Sequence, residues 1–474
     1  MNQLMSIKNL RFGLFVSLIA LAPLSKYPSI ALPEFNFSSF RLGLYQILAA
    51  IFIILCALPT IKSLKSLFKQ NRPVFLSILL LAFIAIIGLI SSLYKSRSAL
   101  LIASIIFLLV LVVTTWWYVK YELLKNKFSL ILKITLISGI IFSLAGILQF
   151  ILATFSNDTL GILCKNCIST IFGFPRVNGF AAEPQFYANA LLPFFFIALG
   201  MFYKFKSRLS LAALILTGFC IMLTFSRGAF LAVLVGLAIF IILLAINKQL
   251  EFSRLVMVLL IIAITGLVGF GSLVSSASHR YRTTPNIAFN TTVSMLDHLS
   301  LGVVNIPQKT VTQVSPTNTN TSTNTNFTPP GLIQSSSQER LGAAQLALKA
   351  WRSNPYTIIF GVGAGNLGPY TIKHIDSTVP NNLTVYIFYA LIIAELGLLG
   401  LASFLILSLG GLGQFINNFS KNKNIIINIS IAALFSAFIA HQWFFGTYIN
   451  TVYIWLWLGI ILGLAGRPLD KKAV

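Results

Sequence analysis

Arginines define the chemistry this chain offers. "MLTFSRGAFLAVLVG" places Arg227 near the centre of an apolar run from Leu209 to Ile246. "ERLGAAQLALKAWRSNP" carries Arg340 and Arg352, "RVNGFAAEPQFYANA" opens on Arg176, and "YTIKHI" sets Lys373 beside His374. A guanidinium stays charged at any relevant pH, and its planar fork of donors meets two phosphate oxygens at once. Glu183 and His374 are the groups able to take a proton from an attacking hydroxyl. The blander role for Glu183 is to stabilise the start of the helix that Pro184 opens, or to pair with an arginine. "GVGAGNLG" (361–368) has the glycine content of a phosphate loop but lacks the Lys-Ser/Thr pair and any β-α-β context. It reads as a closely packed turn in which Gly361 and Gly363 could also cradle substrate oxygens.

The elements that position these groups follow from composition. The chain is 57% apolar and 9% charged, with a mean hydropathy of +0.88. This excludes a soluble globular protein and predicts an all-α polytopic membrane protein. Runs long enough to span fall near 10–25, 40–59, 73–94, 99–118, 129–153, 179–203, 209–225, 228–246, 255–275, 381–414, 425–445 and 449–466. That makes about twelve transmembrane helices. Lys8 and Arg11 precede the first run without a small-residue cleavage site, so it reads as a membrane helix and not a signal peptide.

Leu209–Ile246 is almost twice the length one crossing needs. An isolated arginine at the bilayer centre costs at least ~2.5–3.5 kcal/mol. Two helices turning at Ser226-Arg227-Gly228 remove that objection, with Gly228 suited to a tight turn. Basic loops alternate with poorer ones along the chain, and this phase places both termini in the cytoplasm. The turn at Arg227 and the long insertion 276–380 then lie outside. Net charge is +24 without a separate basic domain. Membrane phospholipid or a phosphate-bearing substrate fits that distribution better than nucleic acid.

Three regions result. Residues 1–275 hold helices one to nine. Residues 276–380 form an extracytoplasmic loop with an Asn/Thr-rich tether at about 312–331, read as disordered, and an amphipathic helix at about 337–353. Residues 381–474 hold the last three helices and a cytoplasmic tail. Ser336 with Glu339 fits a capping box and Pro355 a stop. Leu341, Ala344, Leu348 and Trp351 share one face of this helix, flanked by Arg340 and Arg352. It is expected to lie in the membrane interface, the alternative being a helix packed on neighbouring protein. Cys164 and Cys167 read as a local disulfide or two free thiols, and Cys56 and Cys220 as core residues. Glu395 is an intramembrane acid expected to join helices. His279, His298 and His441 are read as structural, and no metal or cofactor site is expected.

Several of these stretches resemble the O-antigen ligase and O-antigen polymerase superfamily of bacterial membrane glycosyltransferases. "LTFSRGAFLAVLVGLAIF" resembles its Ser-Arg-Gly helix start. "ERLGAAQLALKAWRSNPYTIIFGVGAGNLG" resembles its Arg-helix-Pro-Gly-x-Gly segment, and "NNLTVYIFYALIIAELGLLGLASFLIL" the helix ending in Glu-x-Gly-x-x-Gly. "RVNGFAAEPQFYANALL" resembles an Arg-x-x-Gly…Glu-Pro block frequent among polymerase-like members. The resemblance spans roughly residues 170–415. It implies metal-independent, inverting glycan transfer from undecaprenyl diphosphate on the outer leaflet of the bacterial inner membrane, with Arg227 and Arg340 on the diphosphate. It also implies membrane lipids, a flippase and a chain-length regulator as partners. Ligases of the family carry His-Asn before the tenth helix, whereas "VPNNLTV" places Asn381 and Asn382 there. The base then falls to His374 or Glu183, or the site is of a polymerase type without that histidine. Catalytic candidates are Arg227, Arg340, His374 and Glu183. Arg176, Arg352, Lys373, Asn381, Asn382, Gly361 and Gly363 are the substrate-binding candidates. The rival outside this class is a twelve-helix secondary transporter, which predicts two similar halves and a long cytoplasmic central loop. The sequence shows no internal repeat.

Overall fold

Each apolar run folds as a helix. The computed structural model describes residues 2–31, 41–123, 127–155, 174–281, 289–290, 292–293, 295–296, 331–381, 383, 385–418, 424–443 and 451–465. The helices that answer the first nine runs are α1 (Asn2–Ala20), α2 (Leu44–Gln70), α3 (Arg72–Ser91), α4 (Lys95–Glu122), α5 (Phe128–Phe155), α6 (Pro184–Phe205), α7 (Arg208–Thr224), α8 (Arg227–Ile246) and α9 (Phe252–Tyr281). Three more precede the tenth run: α10 (Gly331–Trp351), α11 (Pro355–Phe360) and α12 (Leu367–His374). The last runs give α13 (Phe388–Asn417), α14 (Ile425–His441) and α15 (Val452–Ala465). Among the described residues, eight helices are long and apolar enough to cross a membrane, and α7, α14 and α15 are shorter apolar helices. The protein is thus an all-α polytopic membrane protein. Among the described residues, the one departure is a two-stranded antiparallel ribbon between α1 and α2, where β1 (Ser29–Ala31) pairs with β2 (Arg41–Gly43) and Ile30 faces Leu42. The tether and the Cys164–Cys167 loop lie outside the described residues.

Burial sorts the helices into two shells. The apolar window of α6 is 89% buried and every residue of α15 is buried, whereas the window of α9 is only 17% buried. Leu58, Ile90, Leu234 and Leu267 are each more than 60% exposed. Such side chains would aggregate in water, but facing lipid tails they carry no penalty. With no hydrophobic drive between helices in lipid, close approach must come from small residues. Gly459 of α15 supplies it against α4, where an added Cβ would stand 2.7 Å from the Val112 carbonyl oxygen.

The tenth run holds a break. Gly397 interrupts α13 with φ +69°. The glycine-rich loop lies against this break: Val362 donates its N–H to the Ala394 carbonyl at 2.9 Å, and Gly363 to the Glu395 carbonyl at 3.0 Å. The Glu395 carboxylate accepts the backbone N–H groups of Gly365 and Leu367. Glu395 therefore joins α13 to the loop and to the start of α12.

Candidate active site

The turn between α7 and α8 is the first fixed point. Sequence reading assigns its unusual geometry to Gly228. The structure instead puts Phe225 in the left-handed region, at φ 45° and ψ 49°, and makes Gly228 the second residue of α8. A left-handed non-glycine residue costs on the order of 1–3 kcal/mol, so its surroundings must hold it there. Phe174 and Phe230 pack edge-on against the Phe225 ring. Ser226 caps α8 by accepting the Ala229 N–H, and Arg227 follows as the first helical residue.

Arg176 closes the turn from the other side. Its Nε donates to the Thr224 carbonyl and its Nη2 to the Phe225 carbonyl, each at 3.0 Å. These carbonyls end α7, where a cation is favoured by the helix dipole. The segment carrying Arg176 is itself tied down. Val177 donates to the Leu223 carbonyl, while Asn178 and Gly179 both donate to Gln149 Oε1 on α5. Glu183 then stands at the N-cap of α6, ahead of Pro184, with its Oε2 accepting from Gln185 at 2.6 Å.

Arg340 arrives from a distant stretch on α10. Sequence reading gives this helix an apolar face through Leu341 and Trp351 and lays it on lipid. In the structure Leu341 is 56% exposed, and the packed stripe is Ala343, Ala344, Ala347 and Ala350. These alanines form a small core with Ala390 and Ala394 of α13, so the helix packs on protein. Small residues win because they allow the closest approach of two helices. Arg340 lies one turn before this stripe, on the same side of α10, and its guanidinium sits 4.9 Å from the centre of the Tyr386 ring.

These pieces share one electrostatic site. Burial pushes the Arg176 guanidinium down to about 10; the charges of Arg340 and Arg227 push the same way and Glu183 opposes them. Burial raises the Tyr386 phenol, Glu183 and Glu339 raise it further, and Arg340 counters. Arg176, Arg227 and Arg340 set against Glu183 and Glu339 leave the balance positive. A guanidinium stays charged at any relevant pH, so a positive balance of this kind suits a multiply charged anion.

The other candidates fall elsewhere. Arg352 is exposed and stacks on its neighbour Trp351. Lys373 and His374 are exposed at the end of α12, with the His374 ring 4.5 Å from Tyr370. Among the described contacts, none joins these three to the arginine site. The Asn381 carbonyl accepts from Arg97 at 3.1 Å, and Asn382 lies outside the described residues. Gly361 and Gly363, the candidates for cradling substrate oxygens, have both N–H groups bonded within the protein, Gly361 to the Thr357 carbonyl and Gly363 to that of Glu395. Their lack of a side chain serves packing, since an added Cβ would meet the Glu395 backbone at 2.3 Å in one case and the Gly88 carbonyl at 2.5 Å in the other.

Two residues were missed as site components. Tyr386 gave no signal beyond being an aromatic residue shortly before a helix. His441, read as structural, is fully buried at the end of α14, with Nδ1 2.8 Å from Asn189 Nδ2. Tyr453 donates to Asn189 Oδ1 at 2.7 Å, so the Asn189 amide nitrogen faces the imidazole as a donor. The charge of Arg340 acts on His441. This network is therefore within electrostatic reach of Arg340.

Residues 212–405 match the family described as O-Antigen ligase. This stretch is similar to the domain that defines that family. It bears out the resemblance to the O-antigen ligase and polymerase superfamily and contains Arg227, Arg340, Tyr386 and Glu395; Arg176 and Glu183 lie ahead of it. The match supports a glycosyl-transferring function in surface-polysaccharide assembly, carried out by a multi-pass membrane protein. No curated protein matches the chain.

Proposed function

We propose that the protein polymerises undecaprenyl-diphosphate-linked oligosaccharide repeat units into a surface polysaccharide, either O-antigen or exopolysaccharide. It does so at the outer leaflet of the bacterial inner membrane, with about twelve spans and both termini cytoplasmic. The observation that carries this reading is that the charges of Arg227, Arg340 and Glu183 all act on the buried Arg176 guanidinium, so that three cations from distant segments contribute to one site. In the reaction an acceptor hydroxyl attacks the anomeric carbon, and the bond from that carbon to the diphosphate oxygen breaks. The diphosphate leaves with the electron pair, its growing charge met by the guanidiniums without a metal ion. The hydroxyl proton passes to the Glu183 carboxylate, and the anomeric configuration inverts. His374 is the second candidate base. A flippase and a chain-length regulator are the expected protein partners.

The second reading is a ligase that moves finished glycan to lipid A core or another acceptor. The description of the matched family favours it. Asn381 at the position of the ligase histidine, and the Glu-Pro block ahead of α6, favour the polymerase. Arg227→Ala and Arg340→Ala, tested in a strain lacking the native copy, should each abolish long glycan chains at unchanged protein level. A single lipid-linked repeat should accumulate. Accumulation of full-length lipid-linked chains would select the ligase, and normal chain ladders from both variants would refute either enzyme.

A further inference from the structure

An apolar cleft of about 480 Å³ lies between α7, α8 and α9, with Phe195 of α6 among its walls. Arg227 is the single charged residue among those lining it. From Arg227 the cleft follows α8 through Phe230 and Leu234 to Leu237. Ten residues of helix rise ~15 Å. Leu231 and Leu234, on its rim, are 41% and 64% exposed, so the cleft opens sideways toward lipid.

Gly266 of α9 lines the same space, and its role there is not helix packing. A Cβ built on Gly266 would meet no atom within 4 Å, whereas one on Gly269, a turn later, would strike Met222 at 2.6 Å. A glycine within a helix is destabilising by roughly 0.5–1 kcal/mol relative to alanine. What Gly266 provides is empty room in front of α9. It sits well below the site: its neighbour Thr265 lies beside Gly218, which is six residues, or ~9 Å, before the end of α7.

We infer that this cleft holds the first isoprene units of the polyprenyl chain whose diphosphate lies on Arg227, and that Gly266 is the residue that admits them. The inference rests on the diphosphate reading above. Charge complementarity selects the occupant: a chain bonded to an anion on Arg227 must leave from that point, and the cleft is the apolar path that begins there. Moving a chain from lipid to a protein cleft gains little free energy, because both surroundings are apolar. The cleft therefore acts mainly by registration, holding the scissile bond in place through its attached chain.

The test compares an undecaprenyl-linked donor with a single-isoprene analogue too short to reach Gly266, using the full-length protein in nanodiscs. Gly266→Phe fills the cleft and should lower kcat/KM for the long donor at least tenfold, leaving the short analogue within about twofold. Gly266→Ala should retain most long-donor activity. Leu267→Phe, on the neighbouring residue exposed to lipid, should leave both donors unchanged. Equal loss on both donors, or no loss on either, overturns the inference; the latter is the result expected if ordinary phospholipid fills the cleft. A wild-type protein that uses neither donor overturns the enzymatic reading itself. A photoreactive polyprenyl diphosphate gives a readout independent of turnover and of how Gly266→Phe folds. It should label peptides containing 227–237 and 261–266 of the wild type, and labelling confined to other helices would overturn the assignment.

Discussion

Tyr386 tests whether the arginine site is built or accidental. Its ring lies under the Arg340 guanidinium at 4.9 Å, within the range of a cation–π contact. Such a contact is worth about 0.5–1 kcal/mol when exposed and about 2 when desolvated. Tyr386 is partly buried, so Tyr386→Leu should weaken donor binding by roughly 2- to 30-fold, since 1.4 kcal/mol is a factor of ten. Tyr386→Phe keeps the aromatic face and should stay within about twofold of wild type. The assay is the KM for lipid-linked donor, or titration with a polyprenyl diphosphate, in nanodiscs. In the Arg340→Ala background the Leu substitution should add almost nothing, because the group it positions is gone. The reasoning fails if Phe and Leu have equal effects, or if the Leu loss persists in full without Arg340.

Three further outcomes follow from named contacts. Arg176→Ala removes two charge-assisted hydrogen bonds from the carbonyls that end α7, and should lower stability by about 2–4 kcal/mol, read as a shift in thermal unfolding. Glu395→Leu strips the acceptor from the Gly365 and Leu367 N–H groups and should destabilise by about 2–5 kcal/mol; Glu395→Gln keeps an acceptor oxygen and should cost less than half of that in the same measurement. Asn189→Leu severs the Tyr453–Asn189–His441 chain and should cost about 2–4 kcal/mol, whereas Tyr453→Phe removes a single donor and should cost about 1–2 kcal/mol, both read by detergent-resistant fluorescence at size exclusion.

The helices were legible because each spanning run is a period-free block of apolar residues, a signal that needs no tertiary partner. The turn at Arg227 was legible for the same reason, since a run of that length cannot be one crossing. The residue that bends it was not. Gly228 is the obvious candidate in sequence, yet Phe225 takes the left-handed backbone because Arg176 holds its carbonyl from a segment 49 residues earlier. The face of α10 failed in a similar way. A helical wheel weights large apolar side chains, but a helix that packs on α13 selects its alanines, and nothing local reveals the partner. The glycine-rich loop resembled a phosphate cradle because both need bare backbone at close range. Here the approaching group is the α13 backbone, and the Glu395 carboxylate occupies two of the loop's N–H groups. Of the arginines, Arg176, Arg227 and Arg340 converge and Arg352 does not; their side-chain type is shared, and only their supports separate them.

Those supports bear on why the site holds together at all. The charges of Arg227 and Arg340 both push on the Arg176 guanidinium, so the cluster carries an internal repulsion. A loosely held cluster would relax outward into solvent. Each cation is instead held by its own support: Arg176 by the α7 carbonyls, Arg227 by a capped helix start, and Arg340 by the alanine stripe of its helix and the Tyr386 ring. Folding energy spread over these contacts maintains an arrangement that the mutual repulsion of the cations alone would disperse. An anion placed among the three relieves their repulsion, and one whose charge grows during bond cleavage relieves it more. On the proposed function, such a site would favour a departing diphosphate over the intact donor, which is the condition for catalysis as distinct from tight binding.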